Sequence, residues 1–303
     1  MNIVEYITTS SQNGAFRRIC IEHPLDIYIG KDEFGHIALE FKGEFASRRV
    51  PTLKSFTVRQ MEGTPKSQLF IILLDQDMLG IFCSFIEDII KSTEDVNNEQ
   101  LGYDIIVERI FSWCKMFQLS RQELSESQIK GLIGELLFLR LKIEEIGELD
   151  ALRSWSGPDK TKKDFSYGND WWEIKTISAG KSIVQISSIE QLDSDNDGEL
   201  VVYELEKMSE LYNGIKLMRL ASELYNNLFS NEAKDLLLSK FAEFNYDFTD
   251  KYDSYVFELK GMRIYSVNNI FPRLSRSVSP NAIVDARYDL SLNELSQYLK
   301  TQL

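Results

Sequence analysis

The sequence predicts an α+β or α/β fold in two domains, because strand-like and helix-like patterns occupy different parts of the chain. Five short strand-like runs lie before residue 75, separated by turn residues such as Gly35 and Pro65. Longer helix-like runs follow, and strands and helices are then interspersed to the end of the chain. We therefore predict an N-terminal antiparallel β-rich domain at residues 1–95 and a mixed sheet flanked by helices at residues 96–303.

The individual elements follow from β-branched and aromatic composition, turn residues and helical spacing. The first-domain strands are predicted at Phe16–Glu22, Asp26–Gly30, His36–Lys42, Lys54–Met61 and Gln68–Leu74. Helices are predicted near Asp77–Ser92, Glu99–Gln118, Asn213–Leu228, Asn231–Phe241 and Ser291–Gln302. Further strands are predicted at Ile183–Ser187, Leu200–Leu205, Ser254–Val267 and Ala282–Leu290.

A buried helix with one embedded carboxylate is predicted in the middle of the chain. Ser125 and Gln128 form a capping-box pattern that predicts its N terminus. The run Ile129–Leu139 is too apolar for a surface helix, yet it contains Glu135. Because an unpaired buried carboxylate is costly, Glu135 needs a partner, a cavity or a metal. The alternative is a glutamate that reaches solvent at the helix edge.

Two glycines in the same helix need an explanation of their own. Gly131 and Gly134 each cost about 1 kcal/mol relative to alanine inside a helix. We expect both to allow the close approach of another backbone, either a neighbouring strand or a bound nucleic acid.

Residues 164–175 predict a β-hairpin, with two short aromatic-rich strands around a Gly168-Asn169 turn. In the register of a two-residue loop, Asp164 lies opposite Glu173, which brings the two Cβ atoms to about 4.5–5.5 Å. Two facing carboxylates repel each other unless a cation lies between them. The hairpin therefore predicts a cation site.

Residue alternation along the second strand then assigns its two faces. Lys175 lies on the same face as Glu173, whereas Trp172 and Ile174 point the other way, into a core. A paired Asp and Glu with an adjacent Lys suits Mg²⁺ or Mn²⁺ and a phosphodiester, because hard cations prefer carboxylate oxygens. An ordinary salt bridge between Lys175 and Glu173 is the alternative.

The tripeptide Glu-x-Lys alone carries little information, because it occurs three times. The copies are Glu173-Ile174-Lys175, Glu232-Ala233-Lys234 and Glu258-Leu259-Lys260. The second copy lies in a helix-like stretch, where positions i and i+2 do not share a face. The third is strand-like but lacks a turn-linked aspartate before it, so the first copy is the candidate site.

The order of these motifs resembles the PD-(D/E)xK nuclease superfamily. The residues that carry the resemblance are Gly134-Glu135-Leu136, Asp164-Phe165, Glu173-Ile174-Lys175 and, on a further strand, Gln185. Three more segments are similar to a bacterial family of PD-(D/E)xK motif proteins from restriction and defence loci: Trp155-Ser156-Gly157-Pro158, Ile186-Ser187-Ser188 with Gln191-Leu192, and Phe271-Pro272-Arg273. The core of the resemblance spans residues 125–207.

The resemblance implies a restriction-endonuclease-like core and a Mg²⁺- or Mn²⁺-dependent endonuclease acting on DNA in a restriction-modification or phage-defence system. The expected metal ligands are Asp164, Glu173, the Ile174 carbonyl and Glu135. Lys175 would orient the attacking water or stabilise the transition state, and Gln185 would hold that water or the lysine. Asp159 is an alternative to Asp164, since it follows Pro158 directly. A catalytically silent module that binds DNA or assembles a complex is the alternative function.

The net charge of −13 argues against tight DNA binding by this chain alone. Basic residues are clustered locally, and the candidate DNA contacts are Lys162, Lys163 and Arg273. A partner subunit could supply further affinity, and a homodimer is possible on the same grounds.

Other composition features exclude several classes. Only His23 and His36 are present, which argues against a His-based zinc or HNH-type nuclease. Three scattered cysteines fit a reducing cytoplasm, and no apolar run is long enough to cross a membrane. The segment from Asp193 to Glu204 matches the EF-hand loop pattern, but the strand-like residues after it favour a turn instead of a calcium site.

Overall fold

The computed structural model has the mixed α+β architecture that the sequence predicts. It describes residues 12–51, 55–117, 123–156, 163–246, 250–280 and 282–302. The chain forms two compact units, residues 1–121 with 245–249 and residues 122–244 with 250–303. The predicted domain boundary followed residue 95, whereas the structure places the helix Glu99–Phe117 in the first unit. The reason is packing, because that helix contacts both the preceding helix and the first sheet.

The first unit is built on an antiparallel sheet, as predicted, with strand order β1-β2-β3-β5-β4. Its elements are β1 (Phe16–Arg18), β2 (Asp26–Lys31), β3 (Ile37–Gly43), β4 (Phe56–Met61), β5 (Ser67–Leu73), α1 (Leu79–Ser92) and α2 (Glu99–Phe117). The two helices are joined by a buried polar network. Asp88 accepts hydrogen bonds from Arg109 Nε at 2.6 Å and from Trp113 Nε1 at 2.8 Å.

The second unit is built on a mixed sheet with strand order β12-β10-β9-β7-β6. Its first elements are α3 (Glu126–Ile146), α4 (Glu148–Ser154), β6 (Phe165–Tyr167), β7 (Asp170–Ile177), β8 (Ile183–Ile186) and β9 (Gly198–Met208). The remaining elements are α5 (Leu217–Asn227), α6 (Asn231–Glu243), β10 (Val256–Val267), β11 (Tyr288–Ser291) and β12 (Leu299–Gln302). Strands β7 and β9 run parallel, and β8 pairs with β11 outside the main sheet.

The end of the chain differs from its prediction. In place of a helix over Ser291–Gln302, β12 pairs antiparallel with β10. Leu292 and Leu295 have helical spacing and are buried, but they reach the core from consecutive turns. Pairing at a free sheet edge thus overrides the local helical pattern. The strand predicted at Ala282–Leu290 is shorter in the structure, where β11 begins at Tyr288.

Helix α3 packs directly against the sheet, and Gly134 is the point of closest approach. The predicted capping box is confirmed, because Gln128 N donates to Ser125 Oγ and Ser125 N donates to Gln128 Oε1. A Cβ atom on Gly134 would lie 2.4 Å from Cγ2 of Thr176 in β7. The close approach that the sequence predicts at Gly134 is therefore to a strand. At Gly131 no neighbouring strand approaches, since nothing lies within 4 Å of a Cβ atom there, and close approach of a nucleic acid stays a prediction.

The two glycines give a matched pair of substitutions. We expect Gly134→Ala to lower the free energy of unfolding by about 1–3 kcal/mol, because the added methyl group overpacks the contact between helix and strand. Gly131→Ala should instead raise it by about 0.5–1 kcal/mol through better helix propensity. Urea denaturation of both variants measures the difference, and equal effects of the two substitutions would contradict this packing.

Candidate active site

The hairpin has the predicted register. Phe165 pairs with Trp172, and the turn contains Gly168 with a positive φ of 62°. Asp164 precedes the first strand and is tied to the second one, because its Oδ2 accepts a hydrogen bond from the backbone N–H of Ile174 at 2.7 Å. This bond places the carboxylate of Asp164 beside the residue that follows Glu173.

Glu173 and Lys175 lie together on one face of β7, as alternation predicts. The side chain of Glu173 is fully buried, and Lys175 Nζ donates to its Oε1 at 2.5 Å. Within the described part of the chain, the second oxygen of Glu173, Oε2, is buried and has no hydrogen-bond partner. A buried carboxylate oxygen without a partner is energetically costly, so this atom indicates a ligand position.

Glu135 enters the site from α3. It is half-buried, and its Oε2 accepts a hydrogen bond from Trp155 Nε1 at 2.7 Å. The indole of Trp155 is fully buried and stacks on Phe165 with a centroid distance of 6.2 Å. Trp155 is therefore a positioning residue for Glu135. The sequence analysis used this tryptophan only as part of a family motif, and a buried indole needing an acceptor was the available signal.

The three acidic side chains act on one another electrostatically. Burial raises the pKa of Glu173 to about 8, and the carboxylate of Asp164 adds to the shift while Lys175 opposes it. Burial also raises the pKa of Glu135 well above its usual range, again with a contribution from Asp164. The pKa of Asp164 is raised by burial against the opposing charge of Lys175. The site therefore favours added positive charge, supplied by either protons or a cation.

Lys175 is held in its charged form by these neighbours. Burial alone would lower its pKa, but the charges of Glu173 and Asp164 raise it above the usual value. One lysine thus offsets part of the charge of the carboxylates. An ion pair of this kind is also what the salt-bridge interpretation of the hairpin expects.

The donor set fits a hard divalent cation in part. Within the described ranges, no group of three or more His, Cys, Asp and Glu side chains is arranged to hold a metal ion. Two features favour a metal nevertheless: the unpartnered Oε2 of Glu173, and the adjacent carboxylate of Asp164, of which one oxygen is anchored to Ile174. Carboxylate oxygens of this kind suit Mg²⁺, which keeps several of its waters when it binds to proteins.

Gln185 is exposed and makes its hydrogen bonds with Arg287 and Asp289. It lies on β8, where Val184 and Ile186 are buried and alternation turns Gln185 outward to solvent. The side-chain Oε1 of Gln185 accepts a hydrogen bond from Arg287, and its Nε2 donates one to Asp289 Oδ1 at 3.3 Å. Strand β8 was predicted from the sequence, but its partner β11 and the core residues that bury Val184 and Ile186 come from far along the chain.

The predicted DNA contacts in the described residues already have backbone partners. Lys163 Nζ donates to the carbonyl oxygens of Glu190 at 2.5 Å and Asp193 at 2.8 Å, and it lies 4.2 Å from the ring centroid of Trp171. Burial lowers its pKa to about 8, although nearby Glu173 opposes this shift. Arg273 donates hydrogen bonds to the backbone carbonyl oxygens of Leu192 and Ser194. Lys163 and Arg273 therefore both bind the backbone of residues 190–194. A role in DNA binding stays a prediction for both, and Lys162 and Asp159 lie outside the described residues.

The segment that matches the EF-hand pattern is a turn leading into β9. The position of the second EF-hand helix is occupied by the strand Gly198–Met208. Asp193 Oδ2 accepts a hydrogen bond from Arg276 N at 2.9 Å, and Glu204 pairs with Arg263 in the neighbouring strand. These contacts favour the turn interpretation over a calcium loop.

Comparison with known proteins supports the resemblance. A family model described as "Putative PD-(D/E)XK family member, (DUF4420)" matches residues 5–293. Neither a curated protein nor a solved structure matches the chain. Within the described residues, no helix is both long and apolar enough to cross a membrane. Since the matched region covers nearly the whole sequence and includes the helix, the hairpin and the Glu-x-Lys strand, the chain belongs to this DUF4420 family of PD-(D/E)XK proteins.

Proposed function

We propose that this protein is a Mg²⁺- or Mn²⁺-dependent endonuclease that hydrolyses DNA phosphodiester bonds. The observation that carries the proposal is the buried, unpartnered Oε2 of Glu173, which lies in a group of mutually repelling carboxylates next to Lys175. Membership of the PD-(D/E)XK family supports a nuclease-like chemistry at this position.

Asp164 and Glu173 would hold the metal, with the Ile174 carbonyl and Glu135 as further candidate ligands. When bound, such a metal lowers the pKa of a coordinated water and offsets charge on the phosphate. Lys175 is the one cation whose ammonium contacts Glu173 in the described structure, and its compact charge suits a developing negative charge on a phosphate oxygen. The hydrogen bond from Trp155 orients Glu135, while that from Ile174 N orients Asp164.

DNA affinity would come partly from outside this chain. The net charge of −13 disfavours strong non-specific DNA binding, and Lys163 and Arg273 are engaged by backbone carbonyls. We therefore propose that the protein works in the cytoplasm with partner subunits of a restriction-modification or phage-defence system. A second copy of the chain could serve the same purpose.

A specific observation also favours the silent-module alternative. Lys175 Nζ already contacts Glu173 at 2.5 Å, and within the residues that the structure describes no three or more His, Cys, Asp and Glu side chains are arranged to hold a metal ion. A family member that assembles a complex without cutting DNA would retain such a salt bridge for stability. Metal binding separates the two functions.

Isothermal titration calorimetry with Mg²⁺ and Mn²⁺ tests the proposal. We expect the wild type to bind metal, and Asp164→Ala and Glu173→Ala to abolish that binding. Glu258→Ala is the matched control, because Glu258 belongs to another Glu-x-Lys pair but is only half-buried and is partnered by Lys260. Metal binding that survives both site substitutions would overturn the endonuclease proposal and favour the silent module.

A further inference from the structure

The antiparallel sheet of the first unit packs both of its helices on one face. On the edge strand β4, the ring of Phe56 lies 6.4 Å from that of Phe85 in α1. Further along β4, Gln60 Oε1 accepts a hydrogen bond from the hydroxyl of Tyr103 in α2 at 2.7 Å. Residue alternation therefore turns Arg59, next to Gln60, to the opposite face, which we call the outer face of the sheet.

Three aromatic side chains lie on the outer face: Phe16 in β1, Tyr28 in β2 and Phe70 in β5. Tyr28 and Phe70 belong to one cross-strand row, because both pair with Glu40 of the intervening strand β3. Two strand spacings set their backbones about 10 Å apart. Phe16 contacts this row, since its ring centroid lies 5.8 Å from that of Phe70. All three side chains are half-buried, so each ring keeps part of its surface accessible.

Basic residues flank the aromatic row at both ends. Arg18 pairs with Tyr28 on one side, and Arg59 pairs with Phe70 on the other. The guanidinium of Arg59 is exposed and contacts neither a hydrogen-bond nor an ion-pair partner among the residues that the structure describes. Lys42 lies on the same face, with its Nζ 4.7 Å from the ring centroid of Tyr28. The row thus ends in a cation that is available to a ligand.

The two carboxylates among the described strand residues of the outer face already have cationic partners. Asp26 Oδ1 lies 3.2 Å from the guanidinium of Arg18. Glu40 is buried, and its Oε1 lies 3.2 Å from Lys42 Nζ. Arg59 is therefore the cation in excess on this face, in a chain whose net charge is −13.

We propose that the outer face binds a single-stranded nucleic acid, either DNA or RNA. Aromatic side chains stack on unpaired bases of any sequence, and arginine and lysine side chains contact the phosphates between those bases. Arg59 and Phe70 are cross-strand neighbours, so a base stacked on Phe70 would bring its phosphate within reach of the free guanidinium. The bases of a duplex are paired and stacked on one another, which makes an unpaired strand the ligand that fits. The inference goes beyond endonuclease activity and does not depend on it.

Fluorescence anisotropy with two labelled 12-nucleotide probes, oligo(dT) and oligo(U), tests this surface on the full chain in EDTA. We expect Phe70→Leu to weaken binding about tenfold, because leucine keeps an apolar side chain but loses the stacking face. Phe70→Trp keeps that face and should bind like the wild type. Arg59→Gln should weaken binding several-fold through the loss of a phosphate contact. Because Arg59 is exposed, this variant tests the surface even where Phe70→Leu does not fold, which far-UV circular dichroism shows.

Phe111→Leu and Arg48→Gln are the matched controls in the same unit. Phe111 is an exposed phenylalanine on α2, and Arg48 donates a hydrogen bond to the carbonyl oxygen of Asp104 in that helix. Since α2 packs on the other face of the sheet, both variants should bind the two strands like the wild type.

The outcomes identify the strand and separate this surface from the carboxylate site. Tighter binding of oligo(dT) or of oligo(U) assigns the face to DNA or RNA, since only RNA carries a 2′-hydroxyl. No binding of either strand, equally tight binding of a duplex, or equal effects of Phe70→Leu and Phe111→Leu would overturn the proposal. Glu173→Gln should bind both strands like the wild type. As no divalent metal is present, loss of DNA cleavage and loss of strand binding are distinguishable.

Discussion

Replacing Lys175 by methionine is expected to slow metal-dependent DNA cleavage at least about a hundredfold, because the ammonium that would stabilise the developing phosphate charge is lost. The loss is expected in the rate constant of phosphodiester cleavage. Lys175 contacts Glu173 at 2.5 Å and is shielded from solvent, with 16% of its side chain exposed, so its charge acts in a poorly solvated site. Cleavage of plasmid DNA under single-turnover conditions measures the loss.

A matched control exists elsewhere in the chain. Lys260 follows Glu258 in the same tripeptide spacing and pairs with it at 2.8 Å, but 39% of its side chain is exposed. Lys260→Met should therefore leave the cleavage rate within about twofold of the wild type, since an exposed ion pair contributes little. Full cleavage activity in Lys175→Met, or an equal loss in both variants, would show that the buried lysine has no catalytic role.

The parts of the site that the sequence predicts well are those fixed by short-range geometry. A two-residue turn at Gly168-Asn169 sets the hairpin register, and residue alternation then puts Glu173 and Lys175 on one face. The capping box at Ser125 likewise sets the start of α3. In each case the deciding interaction joins residues fewer than about ten positions apart, which a single sequence displays directly.

The parts that escape prediction depend on contacts between distant residues. Gln185 faces solvent because Val184 and Ile186 on either side of it pack into a core that residues from much later in the chain complete. Lys163 and Arg273 look like free cations in the sequence, yet the same backbone segment engages both. The prediction of a helix at Ser291–Gln302 is wrong for a similar reason, since β12 pairs with the distant strand β10. No short stretch of sequence indicates which strand edge or backbone carbonyl group a distant residue will contact in the folded protein.

Lowering the pH from 8 to 5 is expected to stabilise the metal-free protein, with a gain in the free energy of unfolding on the order of 3–5 kcal/mol, because one pKa unit corresponds to about 1.4 kcal/mol. Burial and the charge of Asp164 raise the pKa of Glu173 to about 8 in the folded protein, against 4.5 for an ordinary glutamate. Between these two values the folded state keeps a proton that the unfolded chain has lost. Stability therefore falls as the pH rises through this window, and the raised pKa values of Glu135 and Asp164 act in the same direction.

Urea denaturation in EDTA at several pH values between 5 and 8 measures this dependence. Glu173→Gln should make it shallower, since a permanently neutral side chain no longer exchanges a proton on folding, whereas Glu135 and Asp164 still do. Glu258→Gln should keep the wild-type dependence, because hydrogen bonding to Lys260 lowers the pKa of Glu258 and keeps its titration below the window. A pH profile that is the same in the wild type and in Glu173→Gln would contradict a buried, protonated Glu173.

The same measurement connects proton binding to metal binding. If Mg²⁺ occupies the place of the protons, it should stabilise the wild type more at pH 8 than at pH 6, because at the lower pH the ion must first displace a proton from Glu173. Lys163 would not obscure the comparison below pH 8. Burial lowers its pKa only to about 8, so its proton loss on folding occurs above this range and changes stability in the opposite direction. Stabilisation by Mg²⁺ that is equal at both pH values would place the metal away from Glu173.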